Sequence, residues 1–255
     1  MEAVPLLVAD SWLVLDGSAR SLDRHVARFN RSCLDLGVVT PGELREFWRD
    51  TVAALPRSGT WFPRAELVGD PPVLNLRLRP APSRNEHVRV WVPDEPDRRD
   101  HPTRKGPDLH ALIRLRGGAE HRNAQEALLR TPDGIVVEAA TSSVLWWEGD
   151  VLCSPPEEIP ALPGTTAGVV RDMAAALGIP TAHRARRVDD LDQREVWLLN
   201  ALHGIRLVTG WVGSSATPGR GVRFPHWRER VEQLRVPLDP VSARRPDQPR
   251  VPVDT

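Results

Sequence analysis

The chain has 255 residues, 40% of them apolar, which allows one large domain or two modest ones around a real core. Its 34 basic and 34 acidic residues balance, so nothing favours nucleic acid as a partner, and no apolar run reaches the length of a membrane span. The N-terminal residues lack a signal-peptide pattern, and Cys33 and Cys153 have neither metal nor redox spacing; a cytoplasmic protein with no metal site and no disulfide is expected.

Residues 21–36 read as an amphipathic helix, with Leu22, Val26, Phe29 and Cys33 at helical spacing and Ser21 as N-cap. Pro41 suits the first turn of a second helix over 41–54. The period then shortens, and strands are predicted at 61–67, 71–79 and 87–92, separated by turn chemistry rich in Gly, Pro, Asp and Asn. Residues 93–104 are polar and Pro-rich. The domain boundary falls there, giving a small domain over 1–98, a linker over 99–104 and a larger domain over 105–236. A helix is predicted at about 108–118, then strands at 126–130, 135–138, 143–147 and 150–153. A Pro-Gly-Thr-Thr entry opens a helix that ends near Gly178. Strands at 180–186, 195–199 and 205–209 and a helix at 225–235 complete an α+β pattern, and residues 237–255 are expected to form a poorly ordered tail.

Lys105 is the only lysine among the 34 basic residues. Arginine supplies charge but does not readily yield an amine nucleophile, whereas lysine can attack a carbonyl to form a Schiff base. With no tyrosine in the chain, a hydroxyl or ring in a site must come from Ser, Thr, Trp or His. Three further features stand beside the lysine. Glu138 ends the apolar run Ile135-Val136-Val137 and is either a strand-end acid or a site carboxylate. Gly164 permits a tight turn before Thr165 and Thr166, whose amides at a helix start form a simple cap or an anion site. The apolar run before Asn200-Ala201 ends where backbone N–H groups could face the same anion. A lysine, a carboxylate for a ring nitrogen and a phosphate cradle together suggest a pyridoxal phosphate (PLP) site.

The segment from Lys105 to Arg206 resembles the class IV aminotransferase family, the fold-type IV PLP enzymes, which include branched-chain and D-amino-acid aminotransferases and aminodeoxychorismate lyases. The motifs that carry the resemblance are QEALL at 125–129, DGIVVE at 133–138, SSVLWW at 142–147, LPGTT at 162–166 and REVWLLNALHG at 194–204. HVARF at 25–29 resembles the family motif whose arginine binds the PLP phosphate. The resemblance implies a two-domain fold-type IV enzyme, similar to D-amino-acid aminotransferase, with the cofactor in the interdomain cleft. It implies a Schiff base on Lys105, Glu138 at the pyridine nitrogen, and Leu162 on the ring face. It implies that Arg28, Thr165, Thr166 and the amides near Asn200 and Ala201 hold the phosphate. His110, where some members carry a tyrosine, is either a donor near the cofactor's phenolic oxygen or a helix-surface histidine. Arg77 and Arg79 alternate on one strand face, either at a substrate carboxylate or in solvent.

The chain departs from the family pattern at Ser142-Ser143, where Ser-Asn is usual, and at Ala167, where arginine is common. The family's N-terminal motif is reduced to VADSWLVLDG. The expected activity is amino transfer between an amino acid and a 2-oxo acid by a homodimer. The alternatives are a carbon–carbon lyase that releases pyruvate and a retired family member with a binding role.

Overall fold

A computed structural model describes residues 4–238. Of the expected tail, only Pro237 and Leu238 fall within them; 239–255 lie outside the described residues.

The chain opens with three strands that the sequence reading left unassigned: β1 (Leu6–Ser11), β2 (Val14–Leu15) and β3 (Ser18–Arg20). Asp16 and Gly17 join β2 to β3, with φ of 44° and 70°. Two positive φ values in a two-residue loop suit the twist of a tight hairpin, and Asp-Gly tolerates them. Helix α1 (Leu22–Leu34) buries His25, Phe29 and Cys33 along one face. Ser21 precedes it with φ 46° and makes no side-chain cap, so the expected N-cap is not formed. Helix α2 (Pro41–Ala54) starts on a capping box, in which the Glu43 N–H donates to Thr40 Oγ1 and the Thr40 N–H donates to Glu43. The single strand expected at 61–67 is two, β4 (Thr60–Trp61) and β5 (Arg64–Val68); Pro63, which has no N–H, separates them. β6 (Val73–Arg77) pairs with β5, and β5 with β1, in an antiparallel sheet.

β7 (His87–Trp91) precedes the 99–104 linker but does not join that sheet. Beyond the linker come α3 (Leu109–Glu120), β8 (Glu126–Arg130), β9 (Val136–Ala139), β10 (Ser143–Glu148), β11 (Val151–Ser154) and α4 (Thr165–Ala176). They are followed by β12 (Thr181–His183), β13 (Val196–Asn200), β14 (Gly204–Val212), α5 (Phe224–Gln233) and β15 (Arg235–Pro237). Eight strands line up as β12-β11-β10-β13-β14-β7-β8-β9, with β7 parallel to both of its neighbours. β15 returns to pair with β3, and Leu238 packs with Phe29 and Trp48 in the core of the N-terminal half. No helix among the described residues is long and apolar enough to cross a membrane.

The large sheet is apolar on both faces, and successive residues of its strands enter opposite cores. Val144, Trp146, Val196 and Leu198 point into one core. Leu145, Trp147, Trp197 and Leu199 point into another, beneath α4 and α5. Three tryptophans meet there: the Trp197 ring lies 5.6 Å from Trp147 and 5.7 Å from Trp227. Trp197 is fully buried, and its indole N–H donates to Glu195. Trp197→Ala is therefore expected to lower stability by about 3–5 kcal/mol, measured by urea denaturation.

Candidate active site

Lys105 sits between the linker and α3, and its backbone holds it to β1. The Ala9 N–H donates to the Lys105 carbonyl at 2.7 Å. Gly106, at φ 139°, lies so close to β1 that a Cβ would stand 3.0 Å from Val8 Cα. The next strand residue after Ala9 is Asp10, which is fully buried. Asp10 accepts from Arg28 Nε at 2.8 Å and Nη2 at 2.9 Å, a fork-to-fork pair. Its Oδ1 also lies 2.7 Å from His25 Nδ1. Burial alone would raise the Asp10 carboxyl, but Arg28 and His25 hold it well below the usual range.

The Asp10 carboxylate can only accept, so the proton between it and His25 belongs to Nδ1. His25 Nε2 lies 3.2 Å from Thr165 Oγ1. Burial pushes the imidazole toward its neutral form, against the pull of Asp10. Neutral His25 accepts at Nε2, so the Thr165 hydroxyl proton is spent there. Thr165 then offers an anion its backbone N–H.

Helix α4 begins at that threonine. Gly164 is its N-cap residue, and a Cβ there would lie 2.1 Å from Ser143 Oγ, so any larger residue would make the Ser143 hydroxyl move aside. The first-turn N–H groups lack intrahelical partners and, with the helix dipole, favour an anion. Arg28 donates through Nη1 to Pro163 O at 3.0 Å, which puts its guanidinium beside this turn.

Glu138, on β9, is buried. Its Oε1 accepts from Arg99 Nη1 at 2.6 Å and from the Leu162 N–H at 3.0 Å. Burial pushes the carboxyl up, while Arg99 and the Leu162 amide pull the other way. Lys105 is half-buried, and its amine makes no hydrogen bond or ion pair among the described residues. Burial pushes its pKa down and Arg28 adds to this; Asp10 and Glu138 oppose. Both effects favour the neutral, nucleophilic amine.

Asn200 ends β13 in a turn, accepting from the His203 N–H at 2.8 Å and donating to Ser142 Oγ at 3.0 Å. Ser142 also accepts from Arg206 Nη2, and Arg206 forms a buried ion pair with Glu126 at 3.2 Å. The glutamate of QEALL thus braces, through Arg206, the first serine of the Ser142-Ser143 pair.

One cavity of about 260 Å³ joins these parts. Arg28, Lys105, Glu138, Leu162, Thr165, Thr166, Asn200 and Ala201 all line it, together with Arg79. Arg79 donates to Phe62 O at 2.8 Å and faces Ser11 Oγ at 3.4 Å. Two residues singled out from sequence lie elsewhere. His110 is exposed on α3, whose cavity-facing side chains include Leu109, Leu112 and Ile113. Arg77 is exposed at the end of β6 and does not share the position of Arg79, because β6 stops at Arg77. Asp10, His25 and Arg99 were missed as site residues.

The family profile described as amino-transferase class IV matches residues 7–211 of the chain. The protein belongs to the class IV aminotransferase family. Solved structures agree on the fold. A hypothetical aminotransferase from Mycobacterium tuberculosis in its PLP-bound form is 22% identical, with a TM-score of 0.75, covering 93% of this chain and 89% of that one. A branched-chain aminotransferase from Thermoproteus uzoniensis is 20% identical, with a TM-score of 0.76, covering 89% and 84%. A candidate 4-amino-4-deoxychorismate lyase from Legionella pneumophila is 15% identical, with a TM-score of 0.74, covering 89% and 90%. No curated protein matches the chain.

Class IV aminotransferases use pyridoxal phosphate. The residues present fit it. The Lys105 amine and a buried carboxylate oxygen, both without partners among the described residues, and a helix start beside a guanidinium all border one cavity.

Proposed function

We propose that this enzyme moves an amino group between an amino acid and a 2-oxo acid, with Lys105 Nζ as the attachment point of the cofactor. The observation that carries this reading is the convergence of Lys105, Glu138 and the α4 N-terminus on one cavity. When bound, pyridoxal phosphate supplies an electron sink for the charge left at the substrate Cα on deprotonation. The chain's own residues do the rest. Arg28 and the first-turn amides of α4 hold the phosphate. Glu138 takes the ring nitrogen, and Leu162 packs on the ring. Lys105, uncharged when it acts, would take the proton from the substrate Cα and hold it for return on the far side of the transferred nitrogen. The N-terminal half, with Arg28 and Arg79, and the eight-stranded half, with the remaining groups, act as two units about the cavity. A cytoplasmic homodimer belongs to the same reading, and light scattering on the active enzyme checks the dimer.

Arg79 is the proposed partner of the substrate carboxylate, because its guanidinium borders the cavity with no carboxylate ion pair among the described residues. Its planar fork matches a carboxylate bidentately. Arg79→Leu is expected to raise KM for amino donors about tenfold, the scale of one charged hydrogen-bonded contact, and to leave the cofactor's absorption unchanged. Equal KM values for every donor would move carboxylate recognition elsewhere.

The likeness to the Legionella structure supports the lyase as second reading. A half-reaction separates the two. A transaminase converts bound cofactor to its pyridoxamine form with an amino donor alone. A lyase returns the cofactor unchanged and releases pyruvate from its substrate.

A further inference from the structure

Arg99 stands in the linker ahead of Lys105 and is one of the most buried arginines bordering the cavity, with 7% of its side chain exposed. It grips Asp97 with one edge of its guanidinium, Nε to Oδ1 at 3.0 Å and Nη2 to Oδ2 at 2.7 Å. The remaining nitrogen, Nη1, donates to Glu138 Oε1 at 2.6 Å. The Leu162 N–H donates to the same oxygen, while Glu138 Oε2 makes no hydrogen bond among the described residues. One oxygen is thus saturated and the other is left open on a side chain that borders the cavity. Two carboxylates and one guanidinium leave this cluster one negative charge in excess. A single cation completes it.

We propose that Arg99 is a positioning residue: anchored by Asp97, it fixes the Glu138 carboxylate through Oε1 and presents Oε2 to the protonated ring nitrogen of the cofactor. The inference rests on the cofactor reading above for its last clause only. The charged groups that face Glu138 are Asp97 and Arg99, from just before and at the start of the linker, and Lys105 from the start of the second half. Arg99 is the one that touches it. Burial raises the Glu138 carboxyl above its ordinary value even with this guanidinium in contact; without it the protonated acid would be favoured further, and a neutral acid cannot hold a protonated ring nitrogen in place.

The experiment reads Glu138 directly in the cofactor-free, full-length protein. Infrared difference spectra taken through an acid titration isolate the Glu138 carboxyl as the band missing from E138Q. In R99L and R99Q its protonation is expected to move up by about 1–3 pH units, the usual effect of one opposite charge in contact. R99K, which keeps the charge, should restore most of the wild-type value. In a PLP titration followed by absorbance, R99L and R99Q should bind about tenfold more weakly or worse, roughly one lost charged contact. R99Q keeps a hydrogen-bond donor toward Asp97 and serves if R99L does not fold. A Glu138 titration identical in wild type and the neutral variants overturns the proposal. So does a shifted titration with unchanged PLP affinity. A shifted titration in a chain that binds no PLP at all supports the Arg99–Glu138 coupling and overturns the cofactor reading instead.

Discussion

Lys105→Ala is expected to leave a folded protein whose turnover has fallen by on the order of 10⁴–10⁶, the scale set by deleting a covalent nucleophile. The fold should survive because the lysine side chain makes no hydrogen bond among the described residues. The contact that does hold this position, from Ala9 N–H to the residue 105 carbonyl, is backbone and persists in alanine. No other lysine exists to take over. Borohydride reduction followed by intact mass measurement should find the cofactor fixed to the wild-type chain and not to the variant, while circular dichroism stays the same. Cofactor still fixed to the Lys105→Ala chain would remove Lys105 from its proposed role.

Glu138→Gln is expected to retain the cofactor and to slow single-turnover amino transfer about ten- to a hundredfold. Glutamine keeps the shape and can still accept from Arg99 and the Leu162 N–H. It loses the negative charge that, on the proposed reading, holds a proton on the ring nitrogen. A charge-assisted hydrogen bond is worth about 1.5–3 kcal/mol, which sets the size of the effect. Rapid-mixing absorbance with an amino donor measures it. Single-turnover rates equal to wild type would reduce Glu138 to a structural acid.

Helix positions were legible in the sequence wherever the chain writes its own punctuation. Pro41 opens α2, and Gly164 with its two threonines opens α4, at the expected places. The strands of the large sheet were equally readable, because apolar runs such as Val144 to Trp147 sit between turns. The first twenty residues were not read, although Asp16-Gly17 is a hairpin signal. Asp10 interrupts the apolar strand that a period-2 reading looks for, and it is tolerated there because Arg28 pairs with its charge and His25 hydrogen-bonds to it. Such partners lie 15 and 18 residues away, beyond any local pattern. Arg99 is harder still: in the sequence it is one arginine of a polar linker, and its meaning comes from Glu138, 39 residues on. The two arginines at 77 and 79 were read as one face, and the end of β6 between them is a property of tertiary pairing that alternation alone does not encode.

The place of β7 has a consequence for how the chain is made. This strand is finished by residue 91, yet its two neighbours are β8 and β14, and β14 runs to residue 212. The N-terminal half likewise waits for β15 and Leu238. A ribosome extending the chain at about 5–20 residues per second therefore holds β7 exposed for many seconds, an apolar strand edge with no partner yet synthesised. Pairings this distant in sequence also slow folding once the chain is released. Protection from aggregation during synthesis should matter more for this protein than its finished stability suggests.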